Sequence, residues 1–165
     1  MEKDLSVYKF LCDQMLLGLG RWLRVAGYDT SIIEESIDDS EILEKALREK
    51  RLLLTRDRHF LTMLSGKDTV IHLNGNSLDE CIKELNDKLE INWLYHPFSR
   101  CLKCNSPLRE INDPEILQQV PEKIRLGTTK FWFCRACRKV YWEGSHTERM
   151  HQQLKVWQAM NRPEK

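Results

Sequence analysis

"RLLLTRD", residues 51–57, decides how the first half of this chain is read. Leu52, Leu53, Leu54 and Thr55 make a short apolar run that suits a strand buried on both faces. The run leads directly into Arg56 and Asp57. A buried strand has no structural need for an aspartate at its carboxyl tip, so Asp57 is the first residue to demand an explanation.

On either side of this strand the pattern alternates. "KFLCD" (9–13), "YDTSII" (28–33) and "TVIHLN" (69–74) read as further strands. Between them lie helical stretches. In "MLLGLGRWLRVAG", Leu16, Leu19, Leu23 and Ala26 recur at helical spacing, and Gly27 is the expected stop. "DDSEILEKALREK" carries Ile42, Leu43, Ala46 and Leu47 on one face, with Asp38 or Asp39 as its cap. A short helix is expected near "HFLTML", and "SLDECIKELNDKL" opens with the capping box Ser77-x-x-Glu80. Strands alternating with helices predict an α/β fold with a mainly parallel sheet covered on both faces. The alternation stops near Trp93, and "YHPF" reads as a connector. From Cys101 to Cys137 the chain is short-patterned and turn-rich, with one helical turn at "PEILQQ". A last helix, "SHTERMHQQLKVWQAM", is expected to open on the box Ser145-x-x-Glu148.

The composition sets limits. The chain has 165 residues, 41% hydrophobic and 31% charged, which suits one domain with a small appendage. A net charge of +1 means that any basic surface is local. No apolar run reaches the roughly 18 residues of a membrane span. The opening "MEKDLS" is polar and acidic, which argues against a signal peptide, so a cytoplasmic protein is expected.

In a parallel sheet all strands end on one edge, where such folds place their sites. Asp13 follows the first strand, Asp57 the third, and Asp38 and Asp39 begin the helix after the second. Three segments thus deliver carboxylates to one edge. Such a cluster repels itself unless a divalent cation is present, and Mg²⁺ or Mn²⁺ suits oxygen ligands. An ion there can activate water and stabilise a phosphodiester's transition state. The plainer alternative is that each aspartate caps a turn or helix. Arg21, Arg24, Arg56 and Arg58 have two readings as well: surface ion pairs, or phosphate contacts beside the acids.

The six cysteines divide into Cys12 and Cys81, alone in apolar surroundings, and the two C-x-x-C pairs Cys101/Cys104 and Cys134/Cys137. Two such pairs complete a tetrahedral zinc site with no open position, so a structural zinc is expected; two redox pairs are the alternative. Around the second pair, Phe131, Trp132, Phe133, Tyr141 and Trp142 interleave with Arg135, Arg138 and Lys139. These aromatics either stack bases or pack the ribbon onto the larger part. His146, at the start of the last helix, is a candidate to meet phosphate, or a plain surface residue. The final helix, with Met150, Leu154 and Trp157 at helical spacing, is expected to pack on the α/β part and to bring Arg135, Arg138 and His146 beside the acids.

Together, "KFLCDQMLLGLGRWLRVAGYDT", "DDSEILEKA", "RLLLTRDRHF" and "CLKC…CRACRKVYWEGSHTERM" resemble the Mut7-C family, from about residue 8 to 152. The resemblance implies a PIN-like ribonuclease-type domain (1–95), a zinc ribbon (96–144) and a closing helix (145–165). It also implies an acidic Mg²⁺ or Mn²⁺ site, in which Asp13 is the first-strand acid, Asp39, Ile42 and Ala46 match D-x-x-I-x-x-x-A with Asp38 as auxiliary, and Thr55 and Asp57 match T-x-D. The fourth acid that many such nucleases carry on a helix is not assigned. The implied activity is metal-dependent hydrolysis of RNA, single-stranded by expectation. The rival reading is a non-catalytic nucleic-acid-binding or adaptor protein built on a degenerate PIN-like fold. A phospho-acceptor signalling domain fits poorly, since "CDQML" lacks paired acids after the first strand.

Overall fold

Side-chain alternation along the strands organises the larger part of the molecule. The computed structural model describes residues 7–63, 66–128 and 130–161; the "MEKDLS" opening and Leu64, at the end of the expected "HFLTML" helix, lie outside them. Strands β1 (Phe10–Cys12), β2 (Thr30–Ile32), β3 (Leu52–Thr55) and β4 (Val70–His72) form one sheet in the order β2-β1-β3-β4, with every pair parallel. Alternate residues serve opposite faces. Phe10, Cys12 and Leu54 join one core cluster, while Leu11 and Leu53 join another.

Helices cover both faces. α1 (Leu17–Ala26) and α3 (Leu78–Lys88) pack on the first face through Leu19, Leu23, Ile82 and Leu85. α2 (Asp39–Glu49) covers the other through Ile42, Leu43 and Ala46, helped by Phe60 from the 3₁₀ turn Arg58–Thr62. Another 3₁₀ turn, Gln14–Leu16, precedes α1. α1 ends as expected at Gly27, whose φ of 101° is left-handed and whose α-carbon lies against the His96 carbonyl, leaving no room for a Cβ. The Ser77/Glu80 capping box forms in full.

The ribbon is a three-stranded antiparallel sheet, β5 (Arg109–Ile111), β6 (Phe131–Cys134) and β7 (Lys139–Trp142), with short helices α4 (Pro114–Leu117) and α5 (Glu122–Gly127). Its own core is small: Val120, Phe131 and Val140. Phe131 therefore packs the ribbon itself, and Trp142 and Phe133 lie against the same cluster.

α6 (Ser145–Met160) returns to the sheet's first face. Leu154 and Trp157 are buried in that core, and Met150 packs against it. The Trp157 ring meets Trp22 edge-on at 4.8 Å and Trp93 at 5.2 Å. The expected Ser145/Glu148 box does not form. Gly144 is the N-cap, one residue earlier, and its N–H donates to Thr147 Oγ1 at 2.8 Å.

Candidate functional site

The aspartates follow the strand ends as the parallel sheet requires. Asp13 caps the Gln14–Leu16 turn, its Oδ1 accepting the Gln14 N–H at 2.7 Å. Its Oδ2 accepts from the Thr55 hydroxyl at 3.1 Å. Thr55, the fully buried last residue of β3, in turn accepts the Asp57 N–H at 3.0 Å. Asp57 caps the next turn, its Oδ1 accepting the His59 N–H at 2.9 Å. The His59 ring then reaches Asp39, with Nδ1 and Oδ2 2.8 Å apart. Asp13, Asp57 and Asp39 are thus joined by one chain of hydrogen bonds through Thr55 and His59. They are not packed oxygen against oxygen: among the described residues, only the four cysteines bring three or more ligand atoms within 4.8 Å of one another. Asp38 occupies the N-cap position of α2, but its exposed carboxylate makes no capping bond.

Three of the four nearby arginines stay accessible. Arg21 and Arg58 are exposed. Arg56 is half-buried, and its Nη2 donates to Asn76 Oδ1 at 2.8 Å. Arg24 departs from the phosphate-binding expectation. It is 5% exposed, and its guanidinium donates to the Thr30 carbonyl at 2.8 Å and to the Leu102 and Lys103 carbonyls at 2.9 and 3.1 Å. Its donors are spent joining the sheet to the ribbon, and burial lowers its pKa.

The four cysteines form the second centre. Cys104 and Cys134 sulfurs lie 3.4 Å apart, Cys101 and Cys137 sulfurs 3.9 Å, and all four fall within 4.8 Å of one another. Ligands at about 2.3 Å from a tetrahedral zinc sit about 3.8 Å from each other, so the geometry fits. The knuckle amide of Cys137 donates to Cys134 Sγ at 3.4 Å, and the Tyr141 hydroxyl lies 3.1 Å from Cys101 Sγ. Burial pushes the Cys104 thiol up, but hydrogen bonds from Ser106, Cys134 and Cys137 outweigh it and bring its pKa down to about 6. Hydrogen bonding to Cys104 pushes Cys137 up to about 12, and burial raises Cys134, whereas for Cys101 burial is outweighed by hydrogen bonds from Tyr141 and the backbone, so its pKa is lowered. Two of the four thiols thus favour the thiolate and two resist it, a conflict that a divalent cation removes. The cluster can bind zinc.

The ribbon does not reach the acids. Its bonds to the sheet run through Gly27, Asp29 and Thr30, where edge strand β2 begins. Arg100 donates to the Gly27 carbonyl at 3.2 Å, Asn105 to Asp29 Oδ1 at 2.6 Å, and the Thr30 N–H to Asn105 Oδ1 at 2.9 Å. The start of α6 lies near Phe98, whose N–H bonds Val25 in the last turn of α1. α1 runs antiparallel to the strands, so its last turn is at the end of the sheet opposite Asp13 and Asp57. Arg135 and Arg138 sit exposed in the β6–β7 turn, and His146 is exposed at the start of α6. The groove expected between these three residues and the acids is therefore not formed.

Two site residues went unread in the sequence. His59 follows Asp57 by two positions, and that proximity was the available signal. Asn76 had none, because its partner Arg56 lies across a strand and a loop.

A mainly parallel α/β sheet, with helices on both faces and a metal-competent four-cysteine ribbon on its first edge strand, is the class this architecture defines. The chain matches the family described as Mut7-C RNAse domain over residues 8–154, and it belongs to that family. The family carries a ribonuclease-type role. No curated protein and no solved structure matches the chain. Among the described residues no helix is long and apolar enough to cross a membrane.

Proposed function

We propose that the protein is a divalent-metal-dependent ribonuclease that hydrolyses single-stranded RNA at the edge formed by Asp13, Asp39 and Asp57. On this reading residues 1–95 carry the chemistry, 96–144 form the zinc ribbon, and 145–165 brace the sheet. The observation that carries it is that Thr55 links the Asp13 carboxylate to the Asp57 backbone, and that His59 meets both the Asp57 carboxylate, through its backbone N–H, and the Asp39 carboxylate, through its ring. All-oxygen donors of this kind suit Mg²⁺ or Mn²⁺. Such an ion would activate water and neutralise charge on the scissile phosphate. The chain's own residues do the rest. Thr55 and the Gln14 amide fix the Asp13 carboxylate, and His59 fixes Asp39. Asp38 lies one residue away as an auxiliary. Arg56, held by Asn76, and the exposed Arg21 and Arg58 bind backbone phosphates. The ribbon's zinc is structural, since four thiolates close its coordination sphere.

One observation favours the rival reading of a non-catalytic RNA-binding protein: Asp13 and Asp57 each already cap a 3₁₀ turn. Cleavage of an end-labelled single-stranded RNA, with and without added Mn²⁺ and with the ribbon's zinc left in place, separates the two. Wild type should cleave only with metal, and Asp57→Asn should lose more than about 100-fold. Metal-independent cleavage, or an undiminished Asp57→Asn, rules the proposed site out.

A further inference from the structure

Beside the acids lies a groove of about 210 Å³. Its walls come from three strand ends: Met15 and Leu16 after β1, Arg56 after β3, and Asn76, Ser77 and Leu78 after β4. Two of these residues adjoin acids in the chain. Arg56 precedes Asp57, and Met15 follows Asp13 by two positions. We infer that this groove is the subsite for one unpaired nucleotide of the RNA strand, its base on the Met15, Leu16 and Leu78 side chains and its phosphate on Arg56. This deepens the ribonuclease reading above and rests on it.

Size, lining and charge support the assignment. The volume is small beside the roughly 300–1,000 Å³ that enclose whole ligands, so one ring system fits and a base pair does not. The lining is mainly apolar, and Met15 is 64% exposed at its rim, a soft, adaptable surface that can take a base by apolar contact without reading its edge. Carboxylates near the groove are already engaged. Glu80 accepts from Asn76 and Ser77 amides in the capping box, and both Glu84 oxygens accept the Asn74 N–H. Arg56 forms no ion pair among the described residues. Asn76 holds one of its nitrogens, which fixes the guanidinium and leaves further donors for phosphate.

Position supports it further. α1 and α3, which flank the groove, lie on one face of the sheet, whereas the Arg58–Thr62 turn and α2 lie on the other. A strand seated in the groove would cross the sheet edge at Asp13 and Asp57 before reaching Asp39. A duplex cannot make that crossing, because its bases are paired and stacked inside. The subsite would therefore explain a preference for single strands.

Gly18 supplies the test. It lines the groove, and a Cβ there meets nothing within 4 Å, so Gly18→Leu adds bulk at the groove wall without a clash in α1. Binding of a fluorescent single-stranded oligoribonucleotide is measured by anisotropy in buffer without added Mg²⁺ or Mn²⁺ and without chelator, so that no cleavage is required and the four-cysteine ribbon keeps its metal. Gly18→Leu should weaken binding about tenfold, the scale of one base losing its apolar contact surface. Arg56→Ala should weaken it and lower the slope of affinity against salt by about one phosphate contact. An abasic scan of the oligonucleotide should find one position whose removal weakens wild type and leaves Gly18→Leu unchanged. Cooperative thermal unfolding of both variants, with Gly18→Leu no less stable than wild type because it replaces a helical glycine, excludes misfolding. Wild-type affinity in Gly18→Leu, or a wild type that binds no RNA, overturns the inference. Binding that behaves as expected without any metal-dependent cleavage overturns only the catalytic reading and leaves the subsite standing.

Discussion

The sheet half and the ribbon half are held together by different forces. In the sheet half, Phe10, Leu11, Leu53 and Leu54 are completely buried between helical layers. Among the described residues the ribbon's core cluster is Val120, Phe131 and Val140, with Cys101 and Cys134 buried beside the four-cysteine centre. A cluster of that size cannot offset the entropy of ordering the surrounding loops. What the ribbon has instead is four thiols at zinc-ligand spacing. Stability of the ribbon is therefore expected to follow metal and the state of its thiols, and stability of the sheet to follow buried apolar area.

The largest expected effect breaks that comparison open. Structural zinc sites of this type bind with about 10–16 kcal/mol at neutral pH, so stripping the metal should unfold the ribbon outright. Amides of β6 and β7 should then exchange at unfolded rates, while those of β1 and β3 stay protected. Cys104→Ser should reproduce the pattern, and so should mild acid, because protons compete for the thiolates. Protected ribbon amides in metal-free protein would mean that its small core suffices.

Next in size is the brace. Trp157 is 2% exposed and packs on Trp22 and Trp93. Trp157→Ala should cost about 3–5 kcal/mol in urea unfolding of the sheet half. A cost below about 1 kcal/mol would detach α6 from the sheet's stability.

Arg24 sits where the two halves meet. Arg24→Met keeps the aliphatic stem and strands the carbonyls of Thr30, Leu102 and Lys103. The expected loss is about 2–3 kcal/mol, and it should appear in both halves, since each loses partners. A loss confined to the ribbon would show that the joint is one-sided.

Arg24 also shows what the sequence could carry. Its helical spacing placed it correctly on α1, but nothing local distinguishes an arginine that binds phosphate from one that binds carbonyls of a distant knuckle. The sheet was legible because period and polarity are local: "RLLLTRD" yields Leu53 on one face, Leu54 on the other and Asp57 past the end. The ribbon was legible in its cysteines and in the helical turn at "PEILQQ", which is α4. Its strands are as short as those of the sheet but half-exposed, so no buried apolar run marks them, and α5 at "EKIRLG" has no buried residue to mark it. The expected placing of Arg135, Arg138 and His146 failed for a topological reason. A chain that leaves the α/β part near the last turn of α1 builds its appendage at that end of the sheet, away from the acids.

The smallest effect compares the two knuckles. Each second cysteine is followed by a residue in the left-handed region, Asn105 with φ of 71° and Arg138 with φ of 56°. Glycine relieves about 1 kcal/mol of backbone cost at such a position. Asn105 also has side-chain work: it accepts from the Thr30 amide and donates to Asp29. Asn105→Gly should therefore lose more than it gains, by about 1 kcal/mol, because one of those bonds is to a carboxylate and is charge-assisted. Arg138 is exposed, so Arg138→Gly should raise the melting point of the metal-bound ribbon by the backbone gain alone, at most about 1 kcal/mol after the added freedom of the unfolded chain is deducted. Ribbon exchange rates in the two variants should thus move in opposite directions. If Arg138→Gly destabilises as Asn105→Gly does, the second knuckle holds a partner of its own, and the contrast between a docked knuckle and a free one is lost.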